Sequence, residues 1–196
     1  MTTIYFWTCI DTDYKTEKWR HVFCQWYKKD FVGATSVHDL TSIITTEDWN
    51  KYIDKQTFTS REKWMMVLKA LLFAKGAHRS YNLQILDKLI LPIDDPKKIR
   101  SLGRALKGFD EDVWDEHKSQ IVANSNYLQF SQDAALKKIL LDTEEREIVE
   151  ASPYDKIWGI GLTEAQAIKT PRNNWGQNLL GKAIMEVRTK FRSETP

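Results

Sequence analysis

The chain has 196 residues, of which 42% are hydrophobic and 29% charged, and its formal net charge is +2. These values are typical of a folded globular protein with one full-size core, and they exclude a disordered chain. The near-neutral charge argues against a protein that coats DNA through an overall basic field, although a local basic groove stays open. Eight tryptophans exceed what such a core needs, so we expect some to stack on a planar ligand.

The sequence also predicts a compartment. No stretch reaches the roughly 20 apolar residues of a membrane helix, and the first residues lack the layout of a signal peptide. Cys9 and Cys24 fit no zinc spacing, so we expect neither a metal site nor a disulfide. No two of the four histidines have the spacing of a metal-binding His-x-x-x-His pair; they are His21, His38, His78 and His117. The expected protein is intracellular, cytoplasmic or nuclear, with no membrane partner.

The pattern of apolar residues predicts a mainly α fold with a small N-terminal β portion. The first 58 residues are irregular α+β structure, with a strand at 4–7 and a short helix that Thr46 is placed to cap. A core stripe in the next helix consists of Trp64, Leu68, Leu71 and Leu72. The remaining elements are predicted as helices at 59–75, 80–91, 95–108, from Asp110 onward, at 131–141 and at 179–191, a strand at 147–151, and a long loop at 152–175.

Glu62 and Lys69 are the first candidates for chemistry. Seven residues are almost two helical turns, so both side chains lie on one face, about 10 Å apart along the axis. The rest of that face is mostly apolar, which makes a lysine a usable nucleophile and a glutamate a usable acid. Each has a structural alternative. Thr59-x-x-Glu62 fits a capping box, and Lys69 fits a lysine whose stem lies along the surface.

The loop Ser152–Gly161 is the second candidate. Gly159 and Gly161 allow the backbone to approach a ligand, and their N–H groups are suited to a phosphate or ribose oxygen. The spacing is no dinucleotide-binding fingerprint, because a third glycine is missing. Trp158 offers a stacking face. Asp155 is either a general base or ribose ligand, or a turn residue that binds its own backbone.

Further candidates lie on helices. Asn178 precedes the last helix, where it serves an anion site or a plain cap. Gly103 and Arg104 belong to a basic stretch at 97–107, which is either a solvated face or a phosphate contact. Trp114 and Lys118 are one turn apart, so they suit a cation–aromatic pair or a ligand-stacking pair.

Taken in order, five stretches make the chain resemble the NADAR family, also called YbiA-like. They are FCQWY, TSREKWMMVLKALLF, IRSLGRALKGFDEDVWDEHK, ASPYDKIWGIGL and WGQNLLGKAIMEVR, and they cover most of residues 4–192. The resemblance implies a single mainly helical domain over residues 1–196, with a pocket for ADP-ribose or a ribose phosphate. It also implies hydrolysis of an N-glycosidic bond. We expect a monomer that needs no cofactor and no metal.

The resemblance assigns roles by position. Glu62 matches the family's acid/base glutamate, Lys69 the lysine that follows it, and Asp155 the acid before Trp-Gly. The neighbours of Glu62 and Lys69 depart from the family pattern of His, Gln or Tyr, and Ile160 stands where some relatives have an acid, which leaves substrate preference open. The predicted substrate-binding set is Trp26, Gly103, Arg104, Trp114, Lys118, Trp158, Gly159, Gly161 and Asn178.

The resemblance implies removal of ADP-ribose from ADP-ribosylated guanine bases in DNA or RNA. One alternative is an N-glycosidase acting on a ribosylamino-pyrimidine phosphate of riboflavin synthesis. Another is a module that binds ADP-ribose or NAD without turnover. The basic residues at 97–107 favour a nucleic acid or another phosphate-rich substrate.

Overall fold

The computed structural model describes residues 2–13, 15–34, 40 and 43–194; His38 lies outside them. Among the described residues the strands are β1 (Ile4–Phe6), β2 (Lys28–Val32), β3 (Thr57–Ser60) and β4 (Ile148–Glu150). The α-helices are α1 (Thr46–Tyr52), α2 (Arg61–Leu72), α3 (Arg79–Ile85), α4 (Pro96–Gly103), α5 (Glu111–Gln132), α6 (Ala134–Leu141), α7 (Glu164–Ala167) and α8 (Leu179–Ser193). The predicted mainly α fold is confirmed. Within these ranges, no helix has both the length and the apolar content to cross a membrane.

The chain divides into two units. The terminal unit combines Met1–Tyr27 with Asp133–Pro196, and the central unit is Lys28–Gln132. Each unit holds one two-stranded sheet, because β1 pairs with β4 and β2 pairs with β3. Glu62 and Lys69 belong to the central unit, and Asp155 belongs to the terminal unit.

In the terminal unit, β1 and β4 run parallel and α8 packs against β4. A Cβ on Gly181 would lie 2.1 Å from the carbonyl oxygen of Ile148, so only glycine permits this close approach. The apolar face of α8 is buried and consists of Leu180, Ala183, Ile184, Val187 and Phe191. A core cluster covers the sheet and consists of Tyr5, Val149, Ala151, Ile160 and Ala167.

The terminal unit also contains a disulfide between Cys9 and Cys24. A 3₁₀ helix at Lys18–Phe23 precedes Cys24, and the two Cα atoms lie 5.3 Å apart, within bridging distance. The prediction that the cysteines form no disulfide is therefore wrong. Their 15-residue separation carries no information about how the chain folds back between them.

In the central unit, α2 is the core helix. It packs against α3, α4 and α5, and nearly all of its side chains are buried. The indole N–H of Trp64 donates to the carbonyl of Ile121 at 3.0 Å, and its ring meets those of Phe31 and Phe58 from the antiparallel β2–β3 pair. The predicted stripe of Trp64, Leu68, Leu71 and Leu72 is confirmed as core.

The helix predicted at 131–141 begins at Ala134, because α5 extends to Gln132. Two other helices are capped by different residues than predicted. Thr45 rather than Thr46 caps α1, accepting a bond from the N–H of Asp48. Ser60 rather than Thr59 caps α2, accepting from the N–H of Lys63 at 3.3 Å. Asp95 caps α4 and Asp110 caps α5, because the side chain of each accepts backbone N–H bonds in the first turn of its helix.

Candidate active site

Lys69 occupies an aromatic setting in the central unit. Its ammonium nitrogen lies 4.3 Å from the ring centroid of Phe109 and 5.3 Å from that of Trp114. Burial lowers the pKa of Lys69 below its ordinary value, and the positive charge of Arg104 lowers it further, while Glu62 partly offsets both. A lysine that merely lies along a solvated surface would show none of these features.

Glu62 is 2% exposed and is the second residue of α2. A capping box needs the acid at the third position, which Lys63 occupies because the cap is Ser60. The capping alternative for Glu62 is therefore wrong, and the carboxyl is a buried acid whose charge is felt at Lys69. Burial of this kind suits a carboxyl for proton transfer.

The first turn of α2 is anchored on both sides of Glu62. Arg61 is fully buried, donates to the side chain of Asn126 and packs on the ring of Phe130. Lys63 binds the carboxylate of Asp94 at 2.9 Å, and this hydrogen bond lowers the pKa of Asp94. With both neighbours held, Glu62 has little freedom to move away from its position on α2.

Gly103 and Arg104 lie where α4 ends beside α2. A Cβ on Gly103 would come within 2.2 Å of the sulfur of Met66, so Gly103 serves the packing of α4 against α2. Arg104 is exposed, and its charge acts on Lys69. The ring of Trp114 and the charge of Arg104 thus both act on Lys69, and a phosphate contact by Arg104 stays a prediction.

The predicted pairing of Trp114 with Lys118 takes another form. Lys118 is buried and binds the carboxylate of Asp115 at 2.5 Å, while the half-buried ring of Trp114 faces the Lys69 ammonium. A substrate contact by Lys118 stays a prediction, and its ammonium carries this ion pair within α5.

Phe109 is the residue that the sequence does not reveal. It is 47% exposed and sits in the loop between α4 and α5, with its ring also 5.2 Å from that of Phe73. Gly108 precedes it with φ of +68°, and Asp110 follows it as the cap of α5. The signal in the sequence is the order of glycine, aromatic residue and helix-capping aspartate. Such a short loop holds the aromatic ring in a fixed place at the surface.

In the terminal unit, Asp155 forms a turn. One oxygen of its carboxylate accepts the backbone N–H groups of Ile157 at 2.9 Å and Trp158 at 2.8 Å. Its carbonyl accepts the N–H of Gly161, also at 2.9 Å. The geometry is that of the turn alternative, and the catalytic role of Asp155 stays a prediction.

The neighbouring glycines serve the same loop. A Cβ on Gly159 would lie 2.7 Å from the carbonyl oxygen of Glu150, and Gly161 has φ of +70°. The N–H of Gly161 donates to the carbonyl of Asp155, so a ligand would have to compete with this bond. Substrate contacts by Gly159 and Gly161 stay predictions.

Asn178 links the start of α8 to β4. Its side-chain amide donates to the carbonyl of Ile148 at 2.9 Å, and its side-chain oxygen accepts the N–H of Glu150 at 3.0 Å. The plain-cap alternative for Asn178 is wrong, because the side chain makes no cap bond to α8. A phosphate or ribose contact stays a prediction, and it would compete with these two bonds.

The remaining predicted aromatic residues are Trp26 and Trp158, both half-buried in the terminal unit. The ring of Trp175 packs on Tyr5, with 6.2 Å between the ring centroids, and the guanidinium of Arg172 lies over it at 3.9 Å. Its indole N–H donates to the carbonyl of Thr170. Trp175 thus packs within the terminal unit, whereas ligand contacts by Trp26 and Trp158 stay predictions.

Known proteins match this chain over most of its length. The family model described as "NADAR domain" matches residues 6–192. An N-glycosidase of Acanthamoeba polyphaga mimivirus is 41% identical over 169 residues, which cover 86% of each chain. A chloroplastic riboflavin biosynthesis protein of Zea mays is 31% identical over 105 residues, 52% of this chain and 15% of that one. The NMR structure of the E. coli protein YbiA covers 98% of this chain and 86% of that one, with a TM-score of 0.62 and 19% identity.

The chain therefore belongs to the NADAR family, whose matched region spans both units. The low identity to YbiA shows the shared fold alone. The extensive match to the viral relative shows the class of enzyme, a glycosidase.

Proposed function

We propose that this glycosidase removes ADP-ribose from ADP-ribosylated guanine bases in nucleic acid, by cleaving the N-glycosidic bond at ribose C1′. The observation that carries the proposal is the setting of Lys69, whose ammonium faces two aromatic rings and whose pKa is lowered by burial. A lysine with a lowered pKa holds more of its amine neutral near neutral pH, and the neutral amine is the nucleophile.

In the proposed mechanism Glu62 acts first as the acid. It donates a proton to the ring oxygen of the ribose, the bond from C1′ to that oxygen breaks, and the electron pair of the base nitrogen makes C1′ an iminium carbon. The neutral amine of Lys69 attacks C1′. A proton passes from the attacking nitrogen to the base nitrogen, and the base leaves with the electrons of its bond to C1′.

The resulting Schiff base between Lys69 and C1′ is hydrolysed by water. Water adds to C1′, the amine leaves, and the aldehyde closes again to the ribose ring as Glu62 recovers its proton. In a simpler version Lys69 only stabilises charge and a carboxylate activates the water. We assign that task to Glu62 rather than Asp155, because the carboxylate of Asp155 already accepts two backbone bonds.

The aromatic rings around Lys69 support a planar leaving group. Phe109 and Trp114 present ring faces at the reactive amine, and aromatic side chains bind nucleobases by stacking. Because Phe109 is half exposed, part of its ring is free to contact a base. We assign stacking to Phe109 and Trp114, and phosphate binding to Arg104.

The charge of α4 and the loop after it supports a phosphate-rich substrate. Five basic side chains between residues 97 and 107 are exposed, namely Lys97, Lys98, Arg100, Arg104 and Lys107. A cluster of this kind attracts the phosphates of a nucleic acid and makes binding dependent on salt. A substrate with a single phosphate would use fewer of these groups.

The second candidate is cleavage of a ribosylamino-pyrimidine phosphate. The partial match to the riboflavin biosynthesis protein of Zea mays favours it, and the Glu62–Lys69 chemistry would serve the same type of bond. A third candidate, an ADP-ribose or NAD-binding module, would make the same contacts without releasing a product.

The deciding experiment incubates the protein with ADP-ribosylated guanosine in DNA, with the ribosylamino-pyrimidine phosphate, and with free ADP-ribose, and detects products by mass spectrometry. We expect release of ADP-ribose from the DNA and regeneration of unmodified guanine. Cleavage of the pyrimidine compound alone would support the second candidate. Binding of ADP-ribose with no product from either substrate would support the module.

A further inference from the structure

The terminal unit contains a cleft of about 410 Å³ whose lining includes none of the predicted site residues. It opens where the parallel strands β1 and β4 both end, since Trp7 follows β1 and Ala151 follows β4. The lining residues are Tyr5, Phe6, Trp7, Thr8, Asp13, Ala151, Thr163, Glu164 and Ala165. The disulfide from Cys9 closes the loop that carries Asp13.

One exposed aromatic ring lines this cleft, and a second exposed ring lies beside it. Trp7, which lines it, is 41% exposed, and Tyr154 is 86% exposed. Their ring centroids lie 5.9 Å apart and their planes are tilted by 56°, so the rings form an open aromatic corner. Large rings left in water at a concave surface mark a binding site more often than structural packing.

The charged groups of the cleft are mainly acidic. Asp13 and Glu164 both line it, and the side chain of Glu164 is half exposed. Arg20 approaches Glu164 at 3.4 Å, but its closer partner is Glu17 at 2.5 Å. The two carboxylates would repel a phosphate, so this cleft does not suit the phosphate-rich substrate proposed above. A cation is the complementary ligand.

We propose that this cleft binds the guanidinium of an arginine side chain presented by a partner polypeptide. A guanidinium is flat, so it stacks on the ring of Trp7, and its fork of N–H groups matches the carboxylate of Glu164 or Asp13. Lysine offers neither the flat face nor the fork. The proposal does not depend on the glycosidase substrate.

The test uses the full chain and short capped peptides. Acetyl-Ala-Arg-Ala-amide is titrated while the backbone amide signals are followed by NMR, beside the peptides with lysine or with uncharged citrulline in place of arginine. We expect shifts at the cleft residues with the arginine peptide, about tenfold weaker binding of the lysine peptide, and no binding of the citrulline peptide. Trp7→Ala and Glu164→Gln should each weaken arginine binding about tenfold.

Matched variants keep this test specific. Tyr81→Ala removes an exposed ring of the central unit, and Glu186→Gln removes an exposed carboxylate of α8; both should leave the affinity unchanged. Trp7→Phe, which keeps a ring, covers the case in which Trp7→Ala fails to fold, and it should retain most of the binding. Sedimentation measurements accompany the titration.

Three results would overturn the proposal. The first is absence of arginine-peptide binding to the folded wild type at millimolar concentration. The second is equal affinity for the arginine and citrulline peptides, or affinity unchanged by both Trp7→Ala and Glu164→Gln. The third is self-association that Trp7→Ala abolishes, with no peptide binding, because a second copy of the chain would then occupy the cleft.

Discussion

In the terminal unit the carboxylate of Asp155 accepts two backbone N–H bonds, whereas in the central unit the ammonium of Lys69 faces two aromatic rings. Asn178 resembles Asp155, since its side-chain amide makes two hydrogen bonds to the backbone of β4, one at Ile148 and one at Glu150. A polar group with such partners stabilises the fold, while a cation desolvated beside rings keeps a shifted pKa and becomes reactive. From this difference we expect the catalytic groups in the central unit, whereas Asp155 and Asn178 hold the terminal unit's loop and sheet together.

The largest effect is expected from Glu62→Gln. Loss of the buried acid should lower kcat/KM by about 10²- to 10⁴-fold, because that is the usual contribution of general acid–base catalysis. The matched control is Glu111→Gln, in the exposed first turn of α5, which should leave the kinetics unchanged. Steady-state kinetics on variants with native circular dichroism make the measurement. Full activity of Glu62→Gln would show that Glu62 is not the catalytic acid.

The next effect concerns the stability of the terminal unit. The Cys9–Cys24 disulfide closes a loop of 15 residues, so its removal should lower the free energy of unfolding by roughly 3 kcal/mol. Urea denaturation of the wild type and of the double variant Cys9→Ser/Cys24→Ser measures this difference. A drop well under 1 kcal/mol would show that the bridge does not restrain the unfolded chain.

A smaller effect is a pH dependence that Lys69 imposes. The pKa of Lys69 is lowered from 10.5 in the fold, so the unfolded chain holds the proton more tightly. As the pH rises from the lowered value toward 10.5, the free energy of unfolding should therefore rise. Lys69→Met lacks this contribution, so its stability relative to the wild type should be greatest near neutral pH and should fall toward pH 10.5. A constant difference across the range would contradict the lowered pKa.

The smallest effect is expected from Asp155→Asn. An asparagine keeps the oxygen that accepts the N–H groups of Ile157 and Trp158. The free energy of unfolding, and the activation free energy that corresponds to kcat/KM, should therefore each change by less than about 0.5 kcal/mol. Asp155→Ala removes that oxygen and should destabilise the protein by about 1–3 kcal/mol. If Asp155→Asn folded normally but lost activity, the predicted catalytic role would hold and the contrast between the units would fail.

Much of the fold can be predicted from local patterns. The stripe on α2, the apolar face of α8 and the caps Asp95 and Asp110 follow from periodicity and from side chains that bind nearby N–H groups. Strands β2 and β3 escape prediction because four of the five residues of β2 are exposed and three are charged, so its pairing with β3 leaves no alternating pattern. The disulfide escapes because two cysteines have no periodicity.

The site is predicted in type more than in detail. That Glu62 and Lys69 share one helix face follows from helix geometry alone. Whether Glu62 is a free acid or part of a cap depends on which residue starts α2. Sequence patterns locate a helix start only to within one or two residues. Phe109 lies 40 residues from Lys69 in the chain, so their contact depends on tertiary packing. The hydrogen bonds of Asn178 to Ile148 and Glu150 are hidden for the same reason.

The central claim is that the amine of Lys69 attacks the substrate carbon. The direct test adds sodium borohydride during turnover of ADP-ribosylated DNA and maps the protein by peptide mass spectrometry. We predict a reduced adduct on Lys69 that is absent from Lys69→Met and from reactions without substrate, while the exposed control Lys97→Met still gives it. Continued turnover with no adduct on Lys69 would contradict the covalent mechanism and leave Lys69 a charge-stabilising group.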